Sequence, residues 1–197
     1  GNATSTTATF TIEDTTAPAV MDAMDATVEC DGAGNGADLD AWLASNGGAS
    51  ATDACSGVTW SNDFDALSDD CGATGAATVT FTATDDCGNA TSTTATFTIE
   101  DTTAPAVVDA MDATVECDGA GNAADLDAWL ASNGGATATD ACSGVTWSND
   151  YTAMELSCGA TSSVTVTFTA SDACGNASST AATFTVEDTT APEFTQV

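Results

Sequence analysis

Hydrophobic and polar residues alternate along several short segments of this chain. The clearest alternation covers residues 78–84, where Val79, Phe81 and Ala83 are separated by threonines. A second alternation, at residues 95–99, follows a Cys-Gly-Asn sequence typical of a turn. Because successive side chains of a strand point to opposite faces, both segments predict strands with one buried face, paired as an antiparallel hairpin. Further strands are predicted at residues 26–30 and 58–62.

One segment, residues 38–46, has a helical pattern instead. Leu39, Trp42 and Leu43 follow the i, i+3, i+4 spacing of one helix face. Aspartates begin the segment and Gly47 follows it, which are typical start and stop signals of a helix. The pattern predicts a short helix whose Trp42 face packs over one edge of a β-sandwich.

The sequence repeats itself with a fixed spacing. Residues 1–20 recur letter for letter at residues 88–107, and a close copy begins at Gly175. Four cysteines also recur 87 positions later, with no insertion or deletion between the copies. Such self-similarity is typical of repeat architectures. We therefore expect the final strand of a preceding repeat at residues 1–14, complete repeats at 15–101 and 102–188, and the start of a following repeat at 189–197.

Two interpretations of these boundaries are open. The chain is either a window on a longer polymer, or a protomer whose orphan N-terminal strand inserts into a neighbouring subunit. We favour the window, because repeat arrays are routinely expressed as fragments.

The charge of the chain is extreme. It has 30 acidic residues and no Lys, Arg or His, for a formal net charge of −30. This charge disfavours nucleic acid and anionic membranes as partners. It also predicts that folding requires bound cations or high salt, because like charges repel one another. Ca²⁺ fits best, since it prefers carboxylate, amide and backbone carbonyl oxygens, and a solvated acidic surface of the halophilic type is the alternative.

The same composition argues against an enzyme. Without His or Lys the chain cannot form a Ser-His-Asp triad, a Cys-His pair or a Schiff-base lysine. A carboxylate pair and a metal-assisted site are the chemistries that remain. We expect no enzymatic activity from these repeats.

The cysteines point to an extracellular compartment. There are eight, divided into four per repeat. In a chain rich in Thr and Gly they predict two disulfides per repeat and a protein that is secreted or attached to a cell surface. The sequence contains neither a signal peptide nor a run of about 18 apolar residues. We therefore expect no membrane insertion, and we expect export to be encoded outside these residues.

The repeats resemble a known family of modules. The string TVTFTATDDCGN at residues 78–89, followed by TIEDTTAP at 98–105, is similar to the closing half of HYR (hyalin repeat) domains. The cysteine spacing with ECDG, ATDACSG and WSND resembles the four-cysteine, HYR-like variety of long secreted bacterial proteins. The resemblance implies an all-β fold of tandem immunoglobulin-like β-sandwich repeats of 87 residues, each with one short helix and two disulfides. The helix at 38–46 departs from the HYR pattern and leaves the strand order near it open.

Immunoglobulin-like topology also implies a pairing of the cysteines. The first strand would run parallel to the last, which places Cys30 near Cys71 at one pole and Cys55 near Cys87 at the other. Sequential pairing is the main alternative. The implied pairs are Cys30–Cys71 and Cys55–Cys87 in the first repeat, and Cys117–Cys158 and Cys142–Cys174 in the second.

The acidic end of each repeat predicts a calcium site. In a head-to-tail immunoglobulin-like array, the Glu-Asp linker meets the upper loops of the next repeat, and carboxylates that converge there repel one another unless a cation binds. The arrangement resembles cadherin junctions, where calcium stiffens the linker. A solvated acidic hinge is the alternative. The predicted ligands are Glu13, Asp14, Asp53 and Asp85 for one site, and Glu100, Asp101, Asp140 and Asp172 for the next.

A glycine-rich turn provides a second candidate calcium site in each repeat. Its oxygen donors suit a calcium loop, although the terminal bidentate Glu of an EF-hand is missing. Turn formation and helix capping explain the presence of the same residues equally well. The candidate ligands are Asp31, Asn35, Asp38 and Asp40, matched by Asp118, Asn122, Asp125 and Asp127.

Covalent glycans are a further expectation. Asn-Ala-Thr and Asn-Ala-Ser sequons offer N-linked sites, and Asp-Thr-Thr motifs in the linkers resemble a short bacterial O-glycan acceptor. Rows of outward threonines on the predicted hairpin fit either a face that binds ice or carbohydrate or a solvated strand surface. The N-linked candidates are Asn2, Asn89 and Asn176, and the O-linked candidates are Thr15, Thr102 and Thr189.

Together these features predict a secreted structural protein. Disulfide-stapled, calcium-stiffened repeats would form an extracellular fibre by head-to-tail or lateral self-association. The alternative is the stalk or ligand-binding module of a surface adhesin that recognises a glycan, ice or a host surface.

Overall fold

The computed structural model describes residues 1–154 and 161–194. The chain divides into two compact units. The first consists of Gly1–Val28, Asn35–Ser68 and Gly75–Ile99, and the second of Glu29–Gly34, Asp69–Thr74 and Glu100–Val197. Two loops that belong to the first sequence repeat, Glu29–Gly34 and Asp69–Thr74, are therefore part of the second unit.

Two sheets and one helix form the first unit, except that the last residues of two strands, Glu29 and Glu100, belong to the second. Its strands are β1 (Ala19–Met21), β2 (Ala26–Glu29), β3 (Ser50–Thr52), β4 (Val58–Asn62), β5 (Gly75–Asp85) and β6 (Ala90–Glu100). The helix α1 (Gly36–Ala44) and a 3-10 turn (Asn46–Gly48) lie between β2 and β3. One sheet has the order β2-β6-β5-β4, and the other pairs β1 with β3.

The second unit has the same order of elements. Its strands are β7 (Ala106–Val108), β8 (Ala113–Glu116), β9 (Thr137–Thr139), β10 (Thr146–Asn149), β11 (Ser162–Ser171) and β12 (Ala177–Glu187). The helix α2 (Ala123–Ala131) and a 3-10 turn (Asn133–Gly135) precede β9. The sheets are β8-β12-β11-β10 and β7-β9.

The edge strand β8 runs parallel to the last strand, with Ala113 beside Phe184 and Glu116 beside Glu187. The other neighbours in that sheet are antiparallel. In this sheet the first strand along the chain therefore lies parallel to the last, as the predicted cysteine positions required. The all-β, immunoglobulin-like fold with one short helix per repeat is confirmed.

The predicted hairpin forms the core of the first unit. β5 and β6 pair antiparallel over ten residues of register, from Gly75 beside Ile99 to Thr84 beside Ala90. The alternating side chains of Val79, Phe81 and Ala83 are fully buried. The period of two therefore identified both the strands and the face that they bury.

The predicted helix is also present, although α1 begins and ends two residues earlier than the pattern indicated. Its Trp42 side chain is buried, with its ring centroid 5.2 Å from that of Phe81 and 5.5 Å from that of Phe97. The indole Nε1–H donates to the carbonyl oxygen of Met24 at 3.1 Å. The helix thus fills one side of the core with an aromatic group whose polar atom has a partner.

No strand is assigned to residues 1–14. Their copy in the first repeat, residues 88–101, contains β6, which pairs with β5. The prediction that residues 1–14 complete a preceding repeat stays a prediction, because it concerns a sheet whose other strands would come from that repeat.

Two disulfides join described residues of the second unit. Cys30 is bonded to Cys142, with Cα atoms 6.0 Å apart, and Cys71 is bonded to Cys174, with Cα atoms 5.1 Å apart. Each bond joins a loop of the first sequence repeat to a loop of the second. Both disulfides therefore cross the repeat boundary.

The pairing implied by the family resemblance is wrong. The Cys30 and Cys71 loops do lie together as expected, since the Cys30 Sγ is 3.8 Å from the carbonyl oxygen of Ala73. Both sulfurs, however, face loops of the second repeat, which is why they do not bond to each other. The pairs that the structure contradicts are Cys30–Cys71, Cys55–Cys87 and Cys142–Cys174. The pair Cys117–Cys158 includes Cys158, which lies outside the described residues.

Candidate cation site

A buried carboxylate lies where the first repeat ends. Asp101 directly follows β6 and is 8% exposed. Its Oδ1 accepts a hydrogen bond from the Thr103 N–H at 3.2 Å. Its Oδ2 is buried and has no hydrogen-bond partner among the described residues. A buried carboxylate oxygen without a partner is costly, so this atom requires an explanation.

Asp140 lies next to Asp101. One oxygen of each carboxylate and the Cys142 Sγ all lie within 4.8 Å of one another. The Asp140 Oδ1 accepts N–H groups of Cys142 at 2.9 Å and Ser143 at 3.0 Å, which fixes the carboxylate in place. The Cys142 sulfur is bonded to Cys30 and cannot act as a thiolate ligand. The donors that remain at this site are oxygens, the atoms that Ca²⁺ prefers.

A third carboxylate, that of Asp172, belongs to the same neighbourhood. It is 7% exposed, and its Oδ2 accepts the Asn176 side-chain N–H at 2.9 Å. The same Asn176 nitrogen donates to the carbonyl oxygen of Asp101 at 2.9 Å. Burial, followed by the charges of Asp140, Asp172 and Glu29, raises the pKa of Asp101, although the Thr103 hydrogen bond opposes the shift. Negative charge thus converges on Asp101 in a chain that has no basic side chain to offset it.

The first unit contains a copy of this arrangement. Asp14, Asp53 and Cys55 also offer ligand atoms within 4.8 Å of one another. The Asp14 Oδ2 is likewise buried without a hydrogen-bond partner among the described residues. Asn89 donates its side-chain N–H to the Asp14 carbonyl oxygen at 3.2 Å and to the Asp85 Oδ2 at 2.8 Å. The two copies have the same sequence at these positions, so the orphaned oxygen is a property of the repeat and not of one position.

The structure brings together part of each predicted ligand set. Asp101 and Asp140 meet, as do Asp14 and Asp53, whereas Glu13 and Glu100 are exposed and lie outside these groups. The backbone carbonyl of Glu100 instead accepts the Cys30 N–H at 2.7 Å. Adjacent residues of an extended segment point to opposite sides, so the Glu and the Asp of one linker do not face the same site.

Sequence reasoning missed Glu29. Its Oε1 accepts the Thr102 N–H at 2.9 Å and the Thr103 hydroxyl at 2.7 Å, and its Oε2 accepts the Thr102 hydroxyl at 2.9 Å. These hydrogen bonds, that of the Thr103 hydroxyl above all, lower the pKa of Glu29. Glu116 binds Thr189 and Thr190 in the same way. The recurrence of Glu-Cys and Asp-Thr-Thr at the same spacing was the available signal.

Residues of the second predicted calcium loop form a hydrogen-bonded turn that precedes the helix in each repeat. The Asp118 Oδ1 accepts the N–H groups of Ala120 at 2.7 Å and Asn122 at 3.1 Å. The Asn122 side-chain N–H donates to the Asp125 Oδ2 at 2.9 Å and to the Glu116 carbonyl oxygen at 2.9 Å. In the first repeat, Asn35 donates to Asp38 at 3.1 Å. Turn hydrogen bonds therefore involve part of this ligand set, and the calcium site at these residues stays a prediction.

The predicted glycan acceptors have structural partners. Both hydrogen bonds of the Asn89 side-chain nitrogen, like those of Asn176, involve the atom that an N-linked sugar would modify. The Thr102 hydroxyl and the Thr189 hydroxyl bind glutamates. The outward threonines pair with each other across the hairpin, as Thr78 does with Thr96 at 2.9 Å. Glycosylation at the candidate positions stays a prediction.

Comparisons with known proteins give no family. No protein-family model and no curated protein matches the chain. Drosophila N-cadherin EC1-4 aligns over 71% of this chain and 44% of its own, at 11% identity and a TM-score of 0.33. Protocadherin gammaB7 EC3-6 aligns over 66% and 42%, at 17% identity and a TM-score of 0.27. Mouse clustered PcdhgC3 EC1-3 aligns over 88% and 68%, at 10% identity and a TM-score of 0.27.

This chain spans less than half of the length of the first two of these structures. At such scores and identities the likeness assigns no family and no activity. Among the described residues, no helix is long and apolar enough to cross a bilayer.

Proposed function

We propose that this chain is a structural segment of an extracellular fibre, built from HYR-like repeats at 15–101 and 102–188 that are cross-linked across their boundary and stiffened by calcium. The observation that carries the proposal is the pair of disulfides between successive repeats. Disulfides form and persist in oxidising compartments, which supports an extracellular location. The role is mechanical and self-associating, and no enzymatic step is proposed.

The disulfides support this role through the unfolded state. Cys30 and Cys142 are 112 residues apart, and Cys71 and Cys174 are 103 residues apart. In the chain-entropy model, closing one loop of this length stabilises the folded state by about 4 to 5 kcal/mol. Bonds of this kind oppose unfolding and limit how far the chain extends under load. A fibre gains more from such bonds than a freely diffusing domain does.

Calcium supports the role through the carboxylates. Asp101 and Asp140 would hold the ion, which would supply the positive charge that the chain itself lacks. Calcium sites of extracellular modules bind with dissociation constants of about 0.1 to 1 mM, so millimolar calcium would occupy such a site. The buried Oδ2 of Asp101 would then have a partner.

The calcium part of the proposal predicts opposite effects of one substitution with and without the ion. The raised pKa of Asp101 means that its ionised form destabilises the calcium-free protein at neutral pH. Asp101→Asn removes that charge, so its melting temperature in chelator is expected to exceed that of the parent. It also removes a ligand, so the rise in melting temperature on adding calcium is expected to shrink or disappear.

The matched control is Asp109→Asn, which removes the same charge from an exposed position. Its response to calcium is expected to equal that of the parent, measured by calorimetry in chelator and in millimolar CaCl₂. An equal calcium response from both variants, or no response from the parent, would contradict the calcium site.

The fibre itself is tested by electron cryomicroscopy of native material with and without chelator and reductant. Stiff filaments with an axial repeat of one or two modules, which loosen when either agent is added, are expected. Isolated flexible particles that respond to neither agent would favour the stalk or ligand-binding module of an adhesin.

A further inference from the structure

The surface around Cys142 and Cys174 is covered by two loops of the first sequence repeat. Cys142 is 8% exposed, and its carbonyl oxygen accepts the Ala73 N–H at 3.0 Å. Cys174 is half-buried. Two disulfides and a backbone hydrogen bond thus hold the loops Glu29–Gly34 and Asp69–Thr74 on this surface.

The covering loops need glycine where they contact the surface around Cys142 and Cys174. Gly32 and Gly72 have φ angles of 74° and 64°, which glycine adopts without strain. A Cβ on Gly32 would collide with the carbonyl oxygen of Ala141, and one on Gly72 would lie 2.7 Å from that of Cys142. The two loops therefore match the surface at the level of backbone contact, and side chains on either glycine would prevent their close approach.

The first unit presents the same surface, and no loop in the described part of the chain is bonded to its Cys55 or Cys87. Residues 51–63 are identical to 138–150, and residues 87–90 are identical to 174–177. Cys55 and Cys87 are exposed free thiols, whereas Cys142 and Cys174 are bonded. The local structure is also the same, because Asp53 accepts the Cys55 N–H at 2.8 Å, as Asp140 accepts that of Cys142 at 2.9 Å.

The second repeat presents a copy of one of the two covering loops, Glu29–Gly34. Gly119, the copy of Gly32, has a φ of 75°. No described residue lies within 4 Å of a Cβ built on it. The loop thus adopts the docking conformation without the surface that Gly32 contacts. The same φ at this glycine therefore occurs in a loop with no docked surface among the described residues.

We infer that Cys55 and Cys87 are the acceptor half of another junction of the same kind, which takes the copies of the Cys30 and Cys71 loops from the preceding repeat of the same polypeptide. This rests on the proposed function only in requiring that a further repeat precedes these residues. It does not require calcium. Every junction between successive repeats then contains two disulfides. Each repeat uses one pair of cysteines to bond to the following repeat and its other pair to bond to the preceding repeat.

Each new disulfide forms by a balanced exchange. Two protein thiols lose two protons and two electrons, and the disulfide of a thiol oxidoreductase accepts them and leaves as a dithiol. In a test tube, oxidised glutathione has the same role and leaves as two molecules of reduced glutathione.

The test extends the full chain by one repeat. A copy of residues 15–101 is inserted between Asp14 and Thr15. The copy is marked by two substitutions at exposed positions, Thr52→Ser and Ser92→Thr, which distinguish its Cys55 and Cys87 peptides from the unmarked ones by mass. Both chains are refolded in a glutathione buffer, alkylated without reduction, digested with chymotrypsin and mapped by mass spectrometry. The parent chain is expected to be alkylated at Cys55 and Cys87 and not at the bonded cysteines.

In the extended chain, the unmarked Cys55 and Cys87 peptides are expected to lose at least nine-tenths of their alkylation. They should instead be linked to Cys30-type and Cys71-type peptides. The control is the same chain with Ser at the inserted copies of Cys30 and Cys71, in which the unmarked Cys55 and Cys87 should be alkylated as in the parent.

Alkylation of the unmarked Cys55 and Cys87 in the extended chain would overturn the inference, as would a disulfide between these two cysteines. Disulfide-linked Cys55 and Cys87 peptides in the Ser control would also overturn it. Dimers of the extended chain joined through these cysteines would overturn the same-polypeptide source. The disulfide map does not depend on calcium. Failure of the calcium-stiffened fibre and failure of this inference can therefore be told apart.

Discussion

Removing the Cys30–Cys142 bond distinguishes the observed pairing from the pairing expected within a repeat. The perturbation is the double variant Cys30→Ser with Cys142→Ser, which leaves Cys71–Cys174 in place. The remaining bond already restricts the unfolded chain, so the loss is smaller than for an isolated loop of this length. We expect the free energy of unfolding to fall by about 2 to 4 kcal/mol.

The assay is urea unfolding in non-reducing buffer, with thiols alkylated beforehand in every sample. The matched control is Cys55→Ser with Cys87→Ser, which alters two exposed thiols and should change the free energy of unfolding by less than about 0.5 kcal/mol. The reasoning would be refuted by the reverse pattern. A large loss in the Cys55 and Cys87 variant, with little loss in the Cys30 and Cys142 variant, would place the bonds within repeats.

Two further predictions concern backbone geometry and pH. Gly134→Ala is expected to lower the free energy of unfolding by about 1 to 3 kcal/mol, because Gly134 has a φ of 64° and a Cβ would lie 3.0 Å from the Phe168 ring. Gly144→Ala should be close to neutral in the same urea titration, because no described residue other than its chain neighbours lies within 4 Å of a Cβ built on Gly144. Equal losses in the two variants would contradict this account. Hydrogen bonds from the Thr189 hydroxyl, then from the Thr190 hydroxyl and the Thr189 N–H, lower the pKa of Glu116. The ionised Glu116 side chain therefore stabilises the fold fully above the ordinary pKa of a glutamate, and this stabilisation is lost as pH falls through the lowered pKa. Glu116→Gln should therefore flatten the acid side of the stability profile, and an unchanged profile would count against this role.

The core could be predicted because its pattern is local. The threonines between Val79, Phe81 and Ala83 assign one face to solvent, and a buried hairpin satisfies that pattern directly. The helix around Trp42 was found for the same reason, although its ends were displaced by two residues. The signals that end a helix are weaker than those that set its apolar face.

The disulfides could not be predicted from the sequence, for a reason specific to repeats. Cys55 and Cys142 have identical neighbours over thirteen positions, residues 51–63 and 138–150. A bond from Cys30 to the cysteine of its own repeat and a bond to the copy in the next repeat therefore have the same local sequence. The choice depends on which loop is close in space. The ligands of the candidate cation site could be predicted only in part for a similar reason. The linker sequence contains both Glu100 and Asp101, but it does not indicate which of the two side chains points inward.

The bonds across the repeat boundary provide a second covalent path alongside the backbone. A single peptide bond broken anywhere between Cys71 and Cys142 leaves both pieces joined by two disulfides. The linker that contains Thr102 and Thr103 lies within this stretch. The chain is thus mechanically redundant where an extended polypeptide is usually most vulnerable, and one proteolytic cut there does not divide it.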